Sequence, residues 1–300
     1  EQALVNPDHL LILLEHLRCA MFEVPFQKNE GFGATPSQTI EEYLNFLVEN
    51  HEAHFSNEKY FWMADAYPAA KISLRSASPQ SFILQMTMND RPLTIGTVDG
   101  ESAVWMTHPG AIYLHRAESF LVRELDFERR EVRVEGPVEV DWYTRPVVEK
   151  ETEILEVHRT RPSGNMLIKL GRLRVTSKTT AYEKRRVFGQ DLLGRHPLEL
   201  PPTRFETEGV WLELAPQIER MVKAGGGHFM GGIHGLEHAS LALFPLFALC
   251  DRFDAAGISI PRHPQVRGPA IFLYDAHPGG IGIARAIFPR VEELISLAGQ

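Results

Sequence analysis

Between about residue 70 and residue 188 the chain is cut into short β-rich runs, and no all-helical architecture can absorb that pattern. Ile72–Leu74, Phe82–Met86, Thr94–Val98, Ala111–His115, Phe120–Val122 and Val132–Val134 are rich in β-branched and aromatic residues, the types that fit a pleated surface. Pro79, Asn89-Asp90, Asp99-Gly100, Pro109-Gly110 and Gly136-Pro137 punctuate them as turns. Many short strands at regular spacing predict a small antiparallel barrel or sandwich.

The flanks read differently. Asn6 suits a helix cap, Pro7 a first turn and Asp8 the positive end of a helix. Leu10, Leu14 and Leu17 then recur at helical spacing, widened by Leu11, Leu13 and Met21. A second helix is predicted from Gln38 to Asn50, with Ile40, Tyr43, Leu44, Leu47 and Val48 on its apolar face, followed by a strand at Lys59–Met63. Helices followed by a short β element suggest a winged helix. After residue 188, GQDLLGRHPLEL and Pro201-Pro202 read as a linker. A helix around Leu212–Lys223, a glycine-rich stretch, a long apolar helix, a buried strand at Ala270–Ala276, a break at Gly279-Gly280 and a helix from Ile281 complete the chain. The expected fold is α+β and multidomain: a winged-helix-like part at 1–70, a β-rich barrel or sandwich at 71–190, and an α/β part at 191–300.

With 300 residues, 44% of them apolar, the chain can bury two or three cores. Cys19 and Cys250 stand far apart without a C-x-x-C pair, which fits a reduced, cytoplasmic protein. The N-terminus shows no signal-peptide pattern. The longest apolar stretch, Ala239–Cys250, contains Pro245 and is too short for a membrane span. The chain opens without Met directly into a helix signal, the pattern of a segment of something longer.

The charge is unevenly placed. The chain carries a net charge of −8, yet Arg159, Arg161, Lys169, Arg172, Arg174, Lys178, Lys184, Arg185 and Arg186 face one acid, Glu183, between His158 and Phe188. Strand alternation puts Arg172, Arg174 and Lys178 on one face with Thr176, and Leu173 and Val175 on the other. Ile168 and Leu170 have the opposite parity, so Gly171 marks a bulge. Two readings fit. One is a phosphate track, extended by Arg185 and Arg186. The other is a solvated face balanced by acids from elsewhere.

Three further patterns bear on chemistry. No G-x-x-x-x-G-K-[ST] occurs, so the chain has no phosphate loop for ATP hydrolysis. His234-Gly-Leu-Glu-His238 spells H-x-x-E-H, in which two histidines one helical turn apart can share a metal, with Glu237 as base. The alternative to such a zinc hydrolase is a pair of histidines that cap or pack a helix start. Tyr274-Asp275-Ala276-His277-Pro278-Gly279-Gly280 runs from a strand through a glycine turn into a helix. The N–H groups there, at Gly279 and Gly280, are candidate phosphate contacts, against the plainer reading of a tight turn.

The runs GGIHGLEHASLALFPLFALCDRFDAAGISIPRHPQ and IFLYDAHPGGIGIARAIF resemble the C-terminal domain of the mitomycin repair factor helicases. NPDHLLILLEHLRCAMFEVPF, YPAAKISLRSAS, HPGAIYLHRAESFLVRELD and LELPPTRFETEGVWLEL extend the likeness over nearly the whole chain. The resemblance is to DEAD/DEAH-box-like superfamily 2 DNA helicases, related to the eukaryotic RecQ-like helicases that share this domain. It implies ATPase lobes, with their ATP and magnesium, before Glu1 or on another chain. It also implies DNA as partner, single-stranded or with a single-stranded tail, and DNA repair as the function of the whole. A four-cysteine zinc cluster belongs near the extreme C-terminus of that family, and Cys19 and Cys250 form no part of one. This chain is therefore expected to hold no cofactor of its own and no metal, and to act as a noncatalytic DNA-handling region or as a docking module for a separate ATPase.

Overall fold

Helical spacing at the N-terminus resolves into α1 (Leu10–Glu23), capped by the His9 ring, which accepts the Ile12 N–H. The computed structural model describes residues 9–72, 81–88 and 91–299. Asn6, Pro7, Asp8, Ile72–Leu74 beyond its first residue, Pro79 and the Asn89-Asp90 turn lie outside them. The buried stripe of α1 is Leu13, Leu17 and Met21, one residue in four. Leu10 and Leu11, expected on it, face solvent.

β1 (Phe26–Gln27), α2 (Ser37–Glu49), β2 (Ala53–Ser56) and β3 (Lys59–Trp62) follow. The strands form an antiparallel sheet in the order β1-β3-β2. The β2–β3 turn needs left-handed backbone at both Asn57 and Glu58, the conformation that matches strand twist in a two-residue hairpin. Ile40, Leu44 and Leu47 of α2 close a core with the α1 stripe, Phe26 and Tyr60. Truncating such a residue, Leu44 for example, costs about 2–5 kcal/mol. Arg18 donates to both oxygens of Glu52, at 2.7 and 3.0 Å, and ties α1 to the entrance of β2. These elements make the winged-helix domain.

The described residues gather into two units, one drawn from 1–77, 156–172 and 206–300, the other from 78–155 and 173–205. In the second, β4 (Ser81–Met88), β5 (Arg91–Asp99), α3 (Gly100–Met106), β6 (Ile112–His115), β7 (Glu118–Asp126) and β8 (Glu131–Glu135) build a sheet in the order β5-β4-β8-β7-β6. Alternate residues, among them Phe82, Leu84, Phe120, Val122, Val132 and Val134, fill its core. All pairs are antiparallel except β4–β8. The chain between those two strands is long enough to bring β8 back in the same direction.

β9 (Trp142–Ser163) and β10 (Met166–Arg186) are 22 and 21 residues long and pair with each other. Only the middle of β10 was read as strand in the sequence. Its parity does switch: Ile168 and Leu170 are buried, then Leu173 and Val175. Gly171 lies between, and a Cβ there would collide with the Glu156 carbonyl. β11 (Leu192–Pro197) returns antiparallel to β10. The segment expected to be a linker is thus in part a strand, because left-handed Gly189 and Gln190 turn the chain back.

In the first unit β12 (Thr203–Leu214) continues through Leu212, where a helix was expected; α4 (Pro216–Ala224) starts only at Pro216. Val210, Leu212 and Leu214 alternate into the core, and proline suits a first helical turn. α5 (Phe229–Leu243), β13 (Ala255–His263), β14 (Gly268–Asp275), α6 (Ile283–Ile287) and α7 (Val291–Ala298) complete the unit. The order β10-β12-β14-β13 and the antiparallel β12–β14 and β13–β14 pairs differ from a parallel α/β layout. Ile168 and Leu170 of β10 join this core with Ile271, Leu273, Ile287 and Leu294, so residues 156–172 do not follow a linear boundary near 190. Among the described residues no helix is long and apolar enough to cross a membrane.

Candidate nucleic-acid interface

The basic run separates into two sets once folded. Arg159 and Arg161 turn onto the Phe288 ring, at 4.9 and 5.2 Å, and Arg161 also donates to the Phe288 carbonyl and pairs with Glu292. That pairing holds the Glu292 carboxyl below its ordinary range. Lys169 is 2.7 Å from Glu213 on β12. These three charges bind the fold together and leave the candidate track.

Arg172, Arg174 and Lys178 keep the outward parity that alternation requires, with Arg172 the last residue of the first unit. Each arginine meets an acid. Arg172 lies 4.0 Å from Glu156 and 3.8 Å from Glu206, and Arg174 donates to Glu153 at 2.8 Å. Lys178 is exposed and has no carboxylate partner among the described residues. Arg185 is held by Glu183 and by the Gln190 carbonyl, and Arg186 lies 3.7 Å from Asp141. Both readings of the run therefore have a physical basis. The face points to solvent, and acids on neighbouring strands balance much of it. Exposed pairs of this kind contribute roughly 0–1 kcal/mol each, so a phosphate can take the place of a carboxylate at small cost.

The glycine turn is different. Gly279 and Gly280 adopt φ of 79° and 74°, the left-handed conformation that favours glycine. Their N–H groups are already given to the Glu206 and His277 carbonyls. The Asp275 carboxylate accepts the N–H groups of Ile281, Gly282, Ile283 and Ala284 at 2.7–3.2 Å. The anion at this helix start is internal, so the phosphate contact read at Gly279 and Gly280 is corrected: the turn has no donor left for one. Burial pushes the Asp275 carboxyl up, against the N–H donors that pull it down. Thr207 donates to the Asp275 and His277 carbonyls, and His277 pairs with Asp254 at 3.0 Å. The sequence reading missed Asp275. The signal was present: an acid at the end of a buried strand, just ahead of a glycine turn and an apolar helix.

His234, Glu237 and His238 do come together, with potential ligand atoms all within 4.8 Å of one another. The two histidines are exposed, and Glu237 is buried against β13, where Ser259 donates to it at 2.7 Å. The same carboxylate oxygen lies 3.3 Å from His234 Nδ1, so Glu237 is tied to both the serine and the histidine beside it. A structural zinc site needs four ligands. Here the carboxylate is engaged, and the thiol of Cys250 is pushed up by burial and by the charges of Asp254, Asp275 and Asp251. The donor set among the described residues does not fit such a site.

The winged-helix domain also bears on DNA binding. α2 carries Glu41, Glu42 and Glu49 and no lysine or arginine, so it offers phosphates repulsion.

Comparison with known proteins gives the class. Residues 5–77 match the family described as ATP-dependent helicase HRQ1, winged helix domain, and residues 236–300 match the MrfA Zn-binding domain. The chain is homologous to the C-terminal part of the ATP-dependent helicases of the MrfA and HRQ1 type. The helicase YprA of Bacillus subtilis is 32% identical over all of this chain and 39% of its own length. HRQ1 of Saccharomyces cerevisiae is 22% identical over 96% of this chain and 27% of its own length. A crystal structure of the DUF1998 helicase MrfA bound to DNA superposes with a TM-score of 0.61 at 30% identity, covering 98% of this chain and 38% of that one. A second crystal structure of the DUF1998 helicase MrfA superposes with a TM-score of 0.63 at 27% identity, covering 98% of this chain and 41% of that one. The chain thus spans 27–41% of the length of these helicases.

Proposed function

We propose that this chain is the noncatalytic DNA-handling region of an ATP-dependent superfamily 2 DNA helicase that acts in DNA repair in the cytoplasm. The unwinding lobes, with ATP and magnesium, lie in the same or another chain. The observation that carries the reading is the outward basic face of β10, Arg172, Arg174 and Lys178, in a chain of net charge −8. Arg185 and Arg186 extend it at the end of the strand. MrfA, which has the same fold over this region, is described bound to DNA, and that supports a nucleic-acid partner. The contacts are to the backbone, so they position DNA without reading its sequence. The preferred form is single-stranded, or duplex with a single-stranded tail, because an extended strand can follow Arg172 and Arg174, about 6–7 Å apart, and Lys178 about 13 Å further on, twice that spacing.

The test is a salt series on single-stranded DNA with the triple variant Arg172→Glu, Arg174→Glu, Lys178→Glu. Removing three phosphate contacts, at a slope of roughly 0.7 per contact, should weaken binding about fifty-fold at physiological salt. All sequences should be affected alike. A folded triple variant with unchanged affinity and salt slope would refute this assignment. The purified chain should hydrolyse no ATP, with or without DNA, since no phosphate loop is present. A steady ATPase rate that co-purifies with it would count against the noncatalytic reading.

A further inference from the structure

The β10–β11 hairpin ends in a feature that the fold does not use. Its register runs from Ala181↔Pro197 to Arg185↔Leu192, with an irregularity after Lys184, and residues 186–191 form the tip. The tip is held firmly. The Arg186 N–H donates to the Asp191 carbonyl at 3.0 Å, the Val187 N–H to the Asp141 carbonyl at 2.8 Å, and Arg185 to the Gln190 carbonyl at 3.2 Å. Gly189 and Gln190 supply the left-handed backbone that closes it. None of these devices involves the side chain of Phe188. That ring is 83% exposed, the most exposed large apolar side chain among the described residues. It joins none of the hydrophobic clusters and stacks on no ring among the described residues. Left in water, a phenylalanine forgoes about 1.5–3 kcal/mol of burial, and the turn gains nothing from it.

What lies beside the ring selects the occupant. Arg186 is two residues before Phe188, and its one acid, Asp141, is 3.7 Å away with both side chains more than half exposed. Lys184 sits over the Trp142 ring at 3.6 Å and Tyr182 stacks with His108 and His196, so these aromatics at this end of β10 are already engaged. An unengaged ring beside an exchangeable arginine is complementary to one nucleotide: a base for the ring and a phosphate for the guanidinium. A purely apolar partner would leave Arg186 to be desolvated. We propose that the β10–β11 tip is a base-stacking site for unpaired nucleotides of single-stranded DNA, with Phe188 as the stacking ring and Arg186 as the neighbouring phosphate contact. The inference rests on the DNA-binding reading above and adds to it a site with a different chemistry.

The experiment is a titration of the chain into single-stranded oligonucleotides carrying 2-aminopurine, at several salt concentrations, with matched oligonucleotides containing an abasic position. Phe188→Ala should weaken binding roughly tenfold, from the usual worth of one base–aromatic stack, and leave the salt slope unchanged. Phe188→Trp should retain affinity and the quenching of 2-aminopurine. An abasic position should reproduce the loss in the wild type and cost little more in Phe188→Ala. Thermal melting checks that the variants fold. Wild-type binding that is salt-sensitive but indifferent to Phe188→Ala and to abasic positions would overturn the stacking site alone. So would a loss in Phe188→Ala accompanied by a lower salt slope. If the wild type binds no DNA at any salt, the stacking site falls together with the reading beneath it.

Discussion

The glycine turn at 279–282 and the outer face of β10 look alike in sequence, since each offers positive charge or N–H donors to an anion. The fold treats them in opposite ways. At the turn, the acceptor is Asp275, fully buried and bonded by four consecutive N–H groups. On β10 the acceptors are exposed glutamates, Glu153 and Glu156, on the neighbouring strand. A donor whose partner is buried beside it has been spent on stability. A cation whose partner is wet can exchange it for something else.

Asp275→Ala should sharpen that contrast most. It orphans four N–H donors at a buried helix start, and each unsatisfied buried donor costs about 1–3 kcal/mol. Urea unfolding should show a loss of roughly 3–5 kcal/mol at the least, a size expected when a buried network is broken. A loss under about 1 kcal/mol would mean that the turn is not organised around its carboxylate. The charge-reversed β10 face should behave in the reverse way, losing no more than about 1–2 kcal/mol of stability with its exposed pairs while its DNA affinity collapses. Next in size is Lys178→Ala, which removes the one outward cation of the three that has no carboxylate partner among the described residues. It should lower DNA affinity about fourfold and the salt slope by roughly 0.7. An equal or larger effect from Arg174→Ala would show that the Glu153 pair does not compete with phosphate.

The smallest effect concerns a third solution, a buried group that stays neutral. His108 is fully buried, its Nε2 has no hydrogen-bond partner among the described residues, and burial lowers its pKa below the ordinary value. The unfolded chain therefore binds more protons than the folded one. The stability associated with His108 is present above an unfolded pKa of about 6.5 and lost as pH falls below it. Between pH 7.5 and 5.5, wild type should lose more stability than His108→Gln. Parallel pH profiles for the two proteins would show that His108 is protonated in the fold.

Much of this was legible from spacing. The α2 face, the core strands of the five-stranded sheet and the parity of Arg172, Arg174 and Lys178 all follow from periods of 3.6 and 2. The family resemblance pointed to the helicase-associated class. What escaped was set by groups distant in sequence. The glutamates that answer the β10 arginines lie on β9 and β12, and alternation on one strand cannot reveal them. Leu212 looked helical because its neighbours are compatible with either period, and the pairing of Leu212 with Ile271 made it strand. Residues 189–200 looked like a linker because glycine and proline also mark hairpins. The role of Asp275 needed the helix after it to be seen in place.

The order in which the cores can close follows from β9 and β10. The core of the five-stranded sheet is complete once Val134 has been made, whereas the larger of the first unit's two cores needs Ile168 and Leu170 together with Val291 and Leu294. On a ribosome adding about 5–20 residues each second, those last residues emerge roughly ten to thirty seconds after Val134. Once Arg186 has been made, and until those residues follow, the inner half of β10 lacks its partner helices, with its apolar residues open to the medium. The winged-helix core and the core of the five-stranded sheet are complete in the chain first, and the core that joins Ile168 and Leu170 to β12, β14, α6 and α7 is complete last.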